Sequence, residues 1–225
     1  MSNRIVAIDG PSASGKSTVA RKVAFKLGYL YVDSGAVYRA VTWMALQKGN
    51  AADVPACKTL VERLKFECFV KDGAVKFKIN GLELISELRT DAVNENVSAV
   101  SAIPEVRAKV VSWLRNMLGF GRLVMEGRDI GTAVFPNADF KFSLDADPDE
   151  RARRRSAEIA GSGGKAEIPT VRDSLKRRDT IDSSRKKDPL KIAPEAVVVD
   201  TTAMTIEDVT DLIIEHIKKH KKSKE

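Results

Sequence analysis

The most constraining feature of the sequence is a glycine-rich loop that follows a short apolar run near the amino terminus. Residues 5–8 are long enough for a buried strand, and Gly10, Gly15, Lys16 and Ser17 then fit the pattern G-x-x-x-x-G-K-[ST]. Such a loop turns successive backbone N–H groups toward phosphate oxygens, and Lys16 adds a positive charge for the outer phosphates. The Ser17 hydroxyl can ligate Mg²⁺, and a following helix directs its positive end to the same anion.

An ordinary glycine-rich turn is the alternative interpretation of this stretch. It explains the glycines but not a Lys-Ser pair at this offset. The context also favours a phosphate loop, because Val19, Val23 and Leu27 then recur on one helical face and Gly28 ends the helix. We therefore predict that a nucleoside triphosphate is bound by Gly10, Pro11, Ser12, Ala13, Ser14, Gly15, Lys16, Ser17 and Thr18.

The bulk properties of the chain set its class. Its 225 residues, 43% of them hydrophobic, suffice for one substantial core and a small inserted lobe. No apolar run approaches the roughly 18 residues that span a bilayer, and residues 1–4 lead straight into the first strand, so we expect neither membrane segment nor signal peptide. The two cysteines, Cys57 and Cys68, lack metal-site spacing, which favours a reduced, cytoplasmic setting.

The positive charge is concentrated in one segment. Residues 151–191 hold 13 Lys/Arg against 6 Asp/Glu, an excess equal to the whole net charge of +7. Nucleic acid, clustered phosphates in an enzyme site, or a solvated helix face each explain such a segment. Residues 161–164 (GSGG) interrupt it, as expected either for a mobile lid with hinges or for a flexible surface loop. The Lys-rich residues 218–225 are predicted to be a basic tail.

Periodicity predicts an α/β fold. Five apolar runs alternate with helical patterns, which indicates a five-stranded parallel sheet covered by helices; the runs are 5–8, 29–32, 123–125, 140–144 and 197–199. Between them, residues 65–85 read as three short strands joined by Asp72-Gly73 and Asn80-Gly81, the dipeptides of tight hairpins. We interpret these residues as a small three-stranded antiparallel insert beside the main sheet.

Polar residues follow two of the predicted strands, where ligands bind in open α/β sheets. The first group is Asp33-Ser34-Gly35, and the second is residues 126–132 (EGRDIGT), in which acids and an arginine suit a phosphate and Mg²⁺ site. A surface turn with a local ion pair is the alternative for the second group. No histidine or cysteine base is apparent, which favours a kinase whose acceptor is itself a phosphate.

Four motifs resemble those of the bacterial cytidylate kinases, a family of nucleoside monophosphate kinases, over nearly the full length of the chain. The phosphate loop is shared by many kinases. The other three are together specific to the family: residues 33–39 (DSGAVYR), residues 126–136, and residues 178–190 with Arg178-Asp179, Asp182, Arg185 and Pro189-Leu190. The resemblance implies a single P-loop kinase domain over 1–225, similar to adenylate kinase. It also implies a monophosphate-binding lobe at about 36–119 that contains the insert, and a short lid at about 153–170.

The resemblance also implies an activity, the transfer of a phosphoryl group from ATP to CMP or dCMP with Mg²⁺. It implies that Arg154 faces ATP and that Ser17 holds Mg²⁺ together with the ATP phosphates. Acceptor binding falls to Ser34, Arg39, Ser98, Arg107, Arg128, Asp129, Arg178, Asp182 and Arg185, with Arg39, Arg107 and Arg128 on the phosphate and Asp129 on the cytosine amino group. The residues implied to be catalytic are Lys16, Arg128, Asp129, Arg178 and Arg185.

Two rival functions stay open. One is a kinase for another small phosphorylated acceptor. The other is a nucleic-acid-binding P-loop ATPase, which the basic segment supports but the low aromatic content of 6% opposes, because single-strand binding surfaces stack bases on aromatic rings. We expect a cytoplasmic monomer whose partners are small nucleotides, with no nucleic acid and no membrane.

Overall fold

A seven-stranded sheet forms the centre of the computed structural model, which describes residues 4–49, 51–161 and 163–221. The strands are β1 (Ile5–Asp9), β2 (Leu30–Asp33), β3 (Phe66–Lys71), β4 (Ala74–Ile79), β5 (Leu123–Gly127), β6 (Phe140–Asp145) and β7 (Val197–Asp200). Their order across the sheet is β3-β4-β2-β5-β1-β6-β7. The five predicted strands pair in parallel, with Ile5 opposite Leu123 and Val6 opposite Phe140, which confirms the predicted fold class.

Eight α-helices accompany these strands within the described residues. They are α1 (Lys16–Leu27), α2 (Ser34–Gln47), α3 (Val54–Arg63), α4 (Asp91–Ala102), α5 (Pro104–Asn116), α6 (Pro148–Gly161), α7 (Ile168–Ser184) and α8 (Ile206–Lys221). Short 3₁₀ turns span Glu87–Arg89 and Met117–Phe120, and a single π turn spans Ile130–Val134. None of the described helices is both long and apolar enough to span a bilayer.

Both faces of the central strands are buried, as expected for a parallel sheet between helix layers. Successive residues of β1 point to opposite faces, so Ile5 and Ala7 belong to one apolar core and Val6 and Ile8 to the other. The first core is covered by α2 to α5 and the second by α1 and α8. Helix α8 begins with a capping box, in which the side chains of Thr205 and Asp208 each accept the backbone N–H of the other.

The structure of residues 65–85 differs from the predicted three-stranded insert in two ways. Its first two strands form the hairpin β3–β4 with Asp72-Gly73 at the turn, but residues 82–85 make only one isolated bridge, Ile79 to Leu82. The prediction of a third strand is wrong because Leu84 turns into the apolar core and Ile85 stays 72% exposed, which takes the chain away from the sheet. The hairpin also joins the main sheet, since Ala74 of β4 pairs with Tyr31 of β2.

The predicted lid comprises the end of α6, the connection, and the start of α7. The two helices meet through a small apolar cluster of Ala152, Val171 and Leu175. Ser162 of the GSGG break lies outside the described residues, as do 222–225 of the predicted tail, whereas 218–221 belong to α8. The role of 153–170 as a moving lid stays a prediction.

Candidate active site

A cleft of about 630 Å³ opens at the carboxyl edge of the sheet. It lies where the chain leaves β1, β2 and β5 for the segments that follow, which is the edge at which open α/β sheets bind ligands. Helices α4, α6 and α7 close its other sides. Of the residues predicted for the site, those that line the cleft are Ser12, Ala13, Gly15, Lys16, Ser17, Thr18, Ser34, Arg39, Ser98, Arg128, Asp129, Arg178, Asp182 and Arg185.

The predicted phosphate loop is held from below by the sheet. The carboxylate of Asp9, at the end of β1, accepts the backbone N–H groups of Ile130 (2.8 Å) and Gly131 (2.7 Å). Gly10 packs so tightly against β6 that an added Cβ would lie 2.1 Å from the Leu144 carbonyl oxygen. The start of the loop therefore lies directly against the sheet, with no room for a side chain at position 10.

Lys16 and Glu126 are buried groups of opposite charge that interact electrostatically at the cleft. Burial and the nearby Arg128 lower the pKa of the Lys16 ammonium, while burial and Asp33 raise the pKa of Glu126. The Lys16 amino group donates to the Pro11 carbonyl (2.9 Å). Glu126 accepts from the Tyr31 hydroxyl (3.1 Å) and also hydrogen-bonds the Ser17 hydroxyl. The cleft above the loop is therefore lined by the Ser17 hydroxyl, the acids Glu126 and Asp33, and the Lys16 ammonium group.

Four of the predicted arginines, from distant parts of the sequence, line the same cleft. Arg39 comes from α2, Arg128 follows β5, and Arg178 and Arg185 come from the end of α7 and the residue after it. Burial, together with Arg178 and Arg89, lowers the pKa of Arg39 to about 9. Burial and Arg128 likewise lower the pKa of Arg178 to about 10. Guanidinium groups that destabilise one another in this way indicate a site built for an anion.

The arginines are oriented by hydrogen bonds to fixed acceptors. Arg39 donates through Nη1 to Asn94 Oδ1 (2.6 Å) and to the Leu88 carbonyl (3.1 Å). Arg128 donates through Nη2 to the Ser12 hydroxyl (2.7 Å) and through Nε to Asp182 Oδ2 (3.0 Å). These contacts leave much of each side chain's donor capacity for a ligand, because a guanidinium carries five N–H donors.

Arg107 is an exception to the predicted acceptor set. It is fully buried, pairs with Asp129 and with Asp188 (3.0 Å), and lies over the ring of Tyr38 (5.4 Å). It therefore lies behind the cleft wall, and direct contact with an acceptor phosphate, as predicted from the sequence, does not fit this geometry. The Asp129 carboxylate faces the cleft between Arg107 and Arg185, which lies 3.2 Å away.

Four residues predicted for ATP binding do not line the cleft. Three belong to the loop itself, where Gly10, Pro11 and Ser14 form its base. The fourth, Arg154, donates to the Thr201 hydroxyl (3.0 Å), the Thr201 carbonyl (2.6 Å) and Glu150 (2.9 Å), so its guanidinium is occupied beside Gly15. The next arginine, Arg155, lines the cleft instead.

Several cleft residues are outside the predicted set of site residues, and their sequence signals differ. Tyr38 and Asp33 lie in the motif at residues 33–39, and Asp33 was named among the polar residues after a strand, so the motif was a sufficient signal for both. Arg155 stands among neighbouring arginines of α6, where only the helix orientation selects it. Asn94 and Arg89 flank the start of α4 and line the cleft without any sequence signal that separates them from ordinary surface residues.

Within residues 4–49, 51–161 and 163–221, no group of three or more His, Cys, Asp or Glu is placed to hold a metal ion. The Ser17 hydroxyl next to Glu126 is a hard oxygen pair of the kind that Mg²⁺ uses when phosphates supply its remaining ligands.

The family model and the curated relatives agree on one family. The family model described as cytidylate kinase matches residues 6–219. The chain is 43% identical over 217 residues to a cytidylate kinase of Geobacillus sp. (strain WCH70), covering 96% of this chain and 97% of that protein. It is also 43% identical over 221 residues to the cytidylate kinase of Fusobacterium nucleatum subsp. nucleatum, covering 98% and 100%.

Among solved structures, an uncharacterized protein from Eubacterium ventriosum superposes with a TM-score of 0.51. The alignment covers 96% of this chain and 98% of that one at 13% identity, so the likeness concerns the fold alone.

Proposed function

Since the chain belongs to the cytidylate kinase family, we propose that it transfers the γ-phosphoryl group of ATP to CMP or dCMP, giving ADP with CDP or dCDP. The observation that carries the proposal is the convergence of Lys16 and four arginines on one cleft beside the phosphate loop. The lowered pKa values of Lys16, Arg39 and Arg178 reflect burial and repulsion from neighbouring cations, which two polyanionic nucleotides would relieve.

The ATP side of the cleft is the phosphate loop. Its backbone N–H groups and Lys16 bind the β- and γ-phosphates, and the positive end of α1 supports the same charge. Mg²⁺ would be held by the Ser17 hydroxyl and the ATP phosphates, with Glu126 orienting that hydroxyl. When bound, the ion neutralises phosphate charge.

The acceptor side is the arginine group and the wall behind it. Arg39, Arg128, Arg178 and Arg185 hold the acceptor phosphate, because their donors are directed into the cleft from different elements. Asp182 reaches the sugar with Arg185, while Ser34, Ser98 and Asp129 face the base. The role of Arg107 is to orient the Asp129 carboxylate, rather than to bind phosphate.

The chemistry needs no side-chain base. The acceptor atom is a phosphate oxygen that is already anionic, and the described cleft residues include no His or Cys. Phosphoryl transfer then depends on alignment and on neutralisation of the charge that spreads over the transferred group. The phosphate loop and the oriented arginines suit that requirement.

The test is a panel of acceptors incubated with ATP and Mg²⁺, with ADP release as the readout. CMP and dCMP should trigger ADP release, and UMP should be poorer in kcat/KM by about 100-fold or more. The reason is that uracil cannot donate the hydrogen bond that the Asp129 carboxylate accepts from the cytosine amino group. Equal values for CMP and UMP would contradict the proposed base recognition.

The same panel separates the rival functions. AMP, UMP and small phosphorylated metabolites test a kinase with another acceptor, and single-stranded RNA and DNA test a nucleic-acid-stimulated ATPase. ADP release that rises with RNA or DNA but not with CMP would replace the proposal. We also propose that the protein is a cytoplasmic monomer that binds no nucleic acid. Size-exclusion chromatography with light scattering would test the oligomeric state.

A further inference from the structure

We propose that Arg151 is a positioning residue that locks the phosphate loop to helix α7 and thereby holds the two halves of the cleft in alignment. The inference rests on the proposed function. It concerns an arginine that does not line the cleft and that neither the motifs nor the acceptor set includes.

Arg151 is buried and binds three separate segments with one guanidinium. It lies in the first turn of α6 and is 9% exposed. Its Nε donates to the Ala146 carbonyl just after β6 (3.1 Å), and its Nη1 donates to the Ser12 carbonyl of the phosphate loop (3.3 Å). The same Nη1 lies 2.5 Å from Asp179 Oδ2 on α7. One side chain therefore joins the sheet edge, the loop and α7.

These contacts close a ring around the cleft wall. The Ser12 hydroxyl accepts a hydrogen bond from Arg128 (2.7 Å), and Arg128 also donates to Asp182 (3.0 Å). Asp182 stands three residues after Asp179, about one turn along the same face of α7. The ring therefore passes through Arg128, a proposed acceptor ligand, and through the loop that binds ATP. Arg151 and Asp179 are the two members that touch neither nucleotide.

The position of α7 matters because that helix and the residue after it carry acceptor-side groups. Arg178 directly precedes Asp179, and Arg185 follows the helix. The apolar contact between α6 and α7 is small, consisting of Ala152, Val171 and Leu175 with a few partly buried neighbours. So small an apolar contact leaves the position of α7 relative to α6 adjustable, and hydrogen bonds of defined geometry can fix it. A displacement of reacting groups by about 1 Å lowers the rate of a reaction of this kind by about 100-fold.

Neighbouring arginines show that this arrangement is particular to Arg151. Arg153, two residues further along α6, has a side chain that is 64% exposed and pairs with Glu150 within its own helix. Asp179 Oδ1 is buried without a hydrogen-bond partner among the described residues, so only the other carboxylate oxygen, Oδ2, is paired with Arg151. Such a pair contributes little net stability, which favours a positional role over a stabilising one.

The experiment compares Arg151→Gln, Asp179→Asn and the double variant with Arg153→Gln as the matched control on the same helix. Steady-state kinetics with ATP and CMP should show kcat at least tenfold lower in each single variant, with both KM values within threefold of the unchanged protein. The double variant should lose no more than the worse single variant, because both changes open the same ring. Arg153→Gln should leave kcat and both KM values within twofold.

Several results would overturn the lock. These are a kcat within twofold in both single variants, a rise in KM at unchanged kcat, or effects that multiply in the double variant. Circular dichroism checks folding, and if Arg151→Gln does not fold, Asp179→Asn carries the test with the same thresholds. Absence of CMP-dependent ADP release in the unchanged protein would overturn the proposed function, and this inference with it, whereas a defect confined to the variants concerns the lock alone.

Discussion

At the scale of single residues, Asp9 is the carboxylate that links the sheet to the segment after β5. It is 4% exposed and accepts two backbone N–H groups there. Burial outweighs those hydrogen bonds and raises the pKa of Asp9 to about 7, against 3.8 for the unperturbed group. The folded protein therefore holds a proton at Asp9 over a pH range in which the unfolded chain has released it.

The raised pKa predicts how stability depends on pH. The contribution of Asp9 to the free energy of unfolding is full below about pH 4 and is lost as the pH rises toward 7, by about 1 kcal/mol per pH unit. Urea unfolding of the unchanged protein and of Asp9→Asn at pH 4.5, 5.5 and 6.5 measures it. The stability advantage of the unchanged protein should shrink as the pH rises. Two curves that stay parallel would show that Asp9 does not titrate in this range.

Residue identities in the site were largely predictable from motifs, but the direction of each side chain was not. The motif around Arg128 and Asp129 indicated a cleft residue at both positions, and both line it. Arg107 and Arg154 carry the right chemistry, but buried or local acceptors occupy them. Which arginine of α6 faces the cleft depends on the rotation of a helix packed through tertiary contacts, which no local pattern encodes.

At the scale of elements, the contact between the phosphate loop and β6 decides whether the loop can form. Gly10 has a φ of +156°, and an added Cβ would lie 2.1 Å from the Leu144 carbonyl oxygen. Real Cβ atoms do not approach a backbone oxygen so closely, so β1 and β6 would have to separate at this point. The loop geometry therefore depends on a glycine at this position.

We predict that Gly10→Ala lowers the free energy of unfolding by at least about 2 kcal/mol and abolishes binding of an ATP analogue. The matched control is Gly119→Ala, where the added Cβ meets nothing within 4 Å and should change stability by no more than about 0.5 kcal/mol. Urea unfolding and calorimetric titration measure the two effects. Equal stability of the two variants would show that the loop yields to the extra methyl group.

Strand and helix positions followed well from periodicity, whereas the edge of the sheet did not. The Asp-Gly turn gave the hairpin β3–β4, because that dipeptide favours the backbone it adopts, with φ of +50° and +70°. The predicted third strand depended on four residues whose side chains could face either a neighbouring strand or the core. Leu84 entered the core, which is a tertiary preference.

At the scale of the whole molecule, the sheet order accounts for the concentration of charge. Strand β1 lies between β5 and β6, so the phosphate loop opens beside the segment that carries Arg128. Helix α2 brings Arg39, and the α7 segment brings Arg178 and Arg185 from the basic residues 151–191. The sequence located the charge excess in that segment but left nucleic acid, phosphates and a solvated face as alternatives. Only the fold shows which of these cations converge.

Two nucleotides are expected to meet with their phosphates facing each other in this one cleft. The most direct measurement is calorimetric titration, with Mg²⁺, of a bisubstrate compound in which adenosine and cytidine are joined through their 5′ positions by five phosphates. Joining both ligands converts the second binding event into an intramolecular one, so the compound should bind at least about 100-fold more tightly than ATP. Both Lys16→Ala and Arg39→Ala should weaken it. An affinity no better than that of ATP, unchanged by Arg39→Ala, would contradict the account.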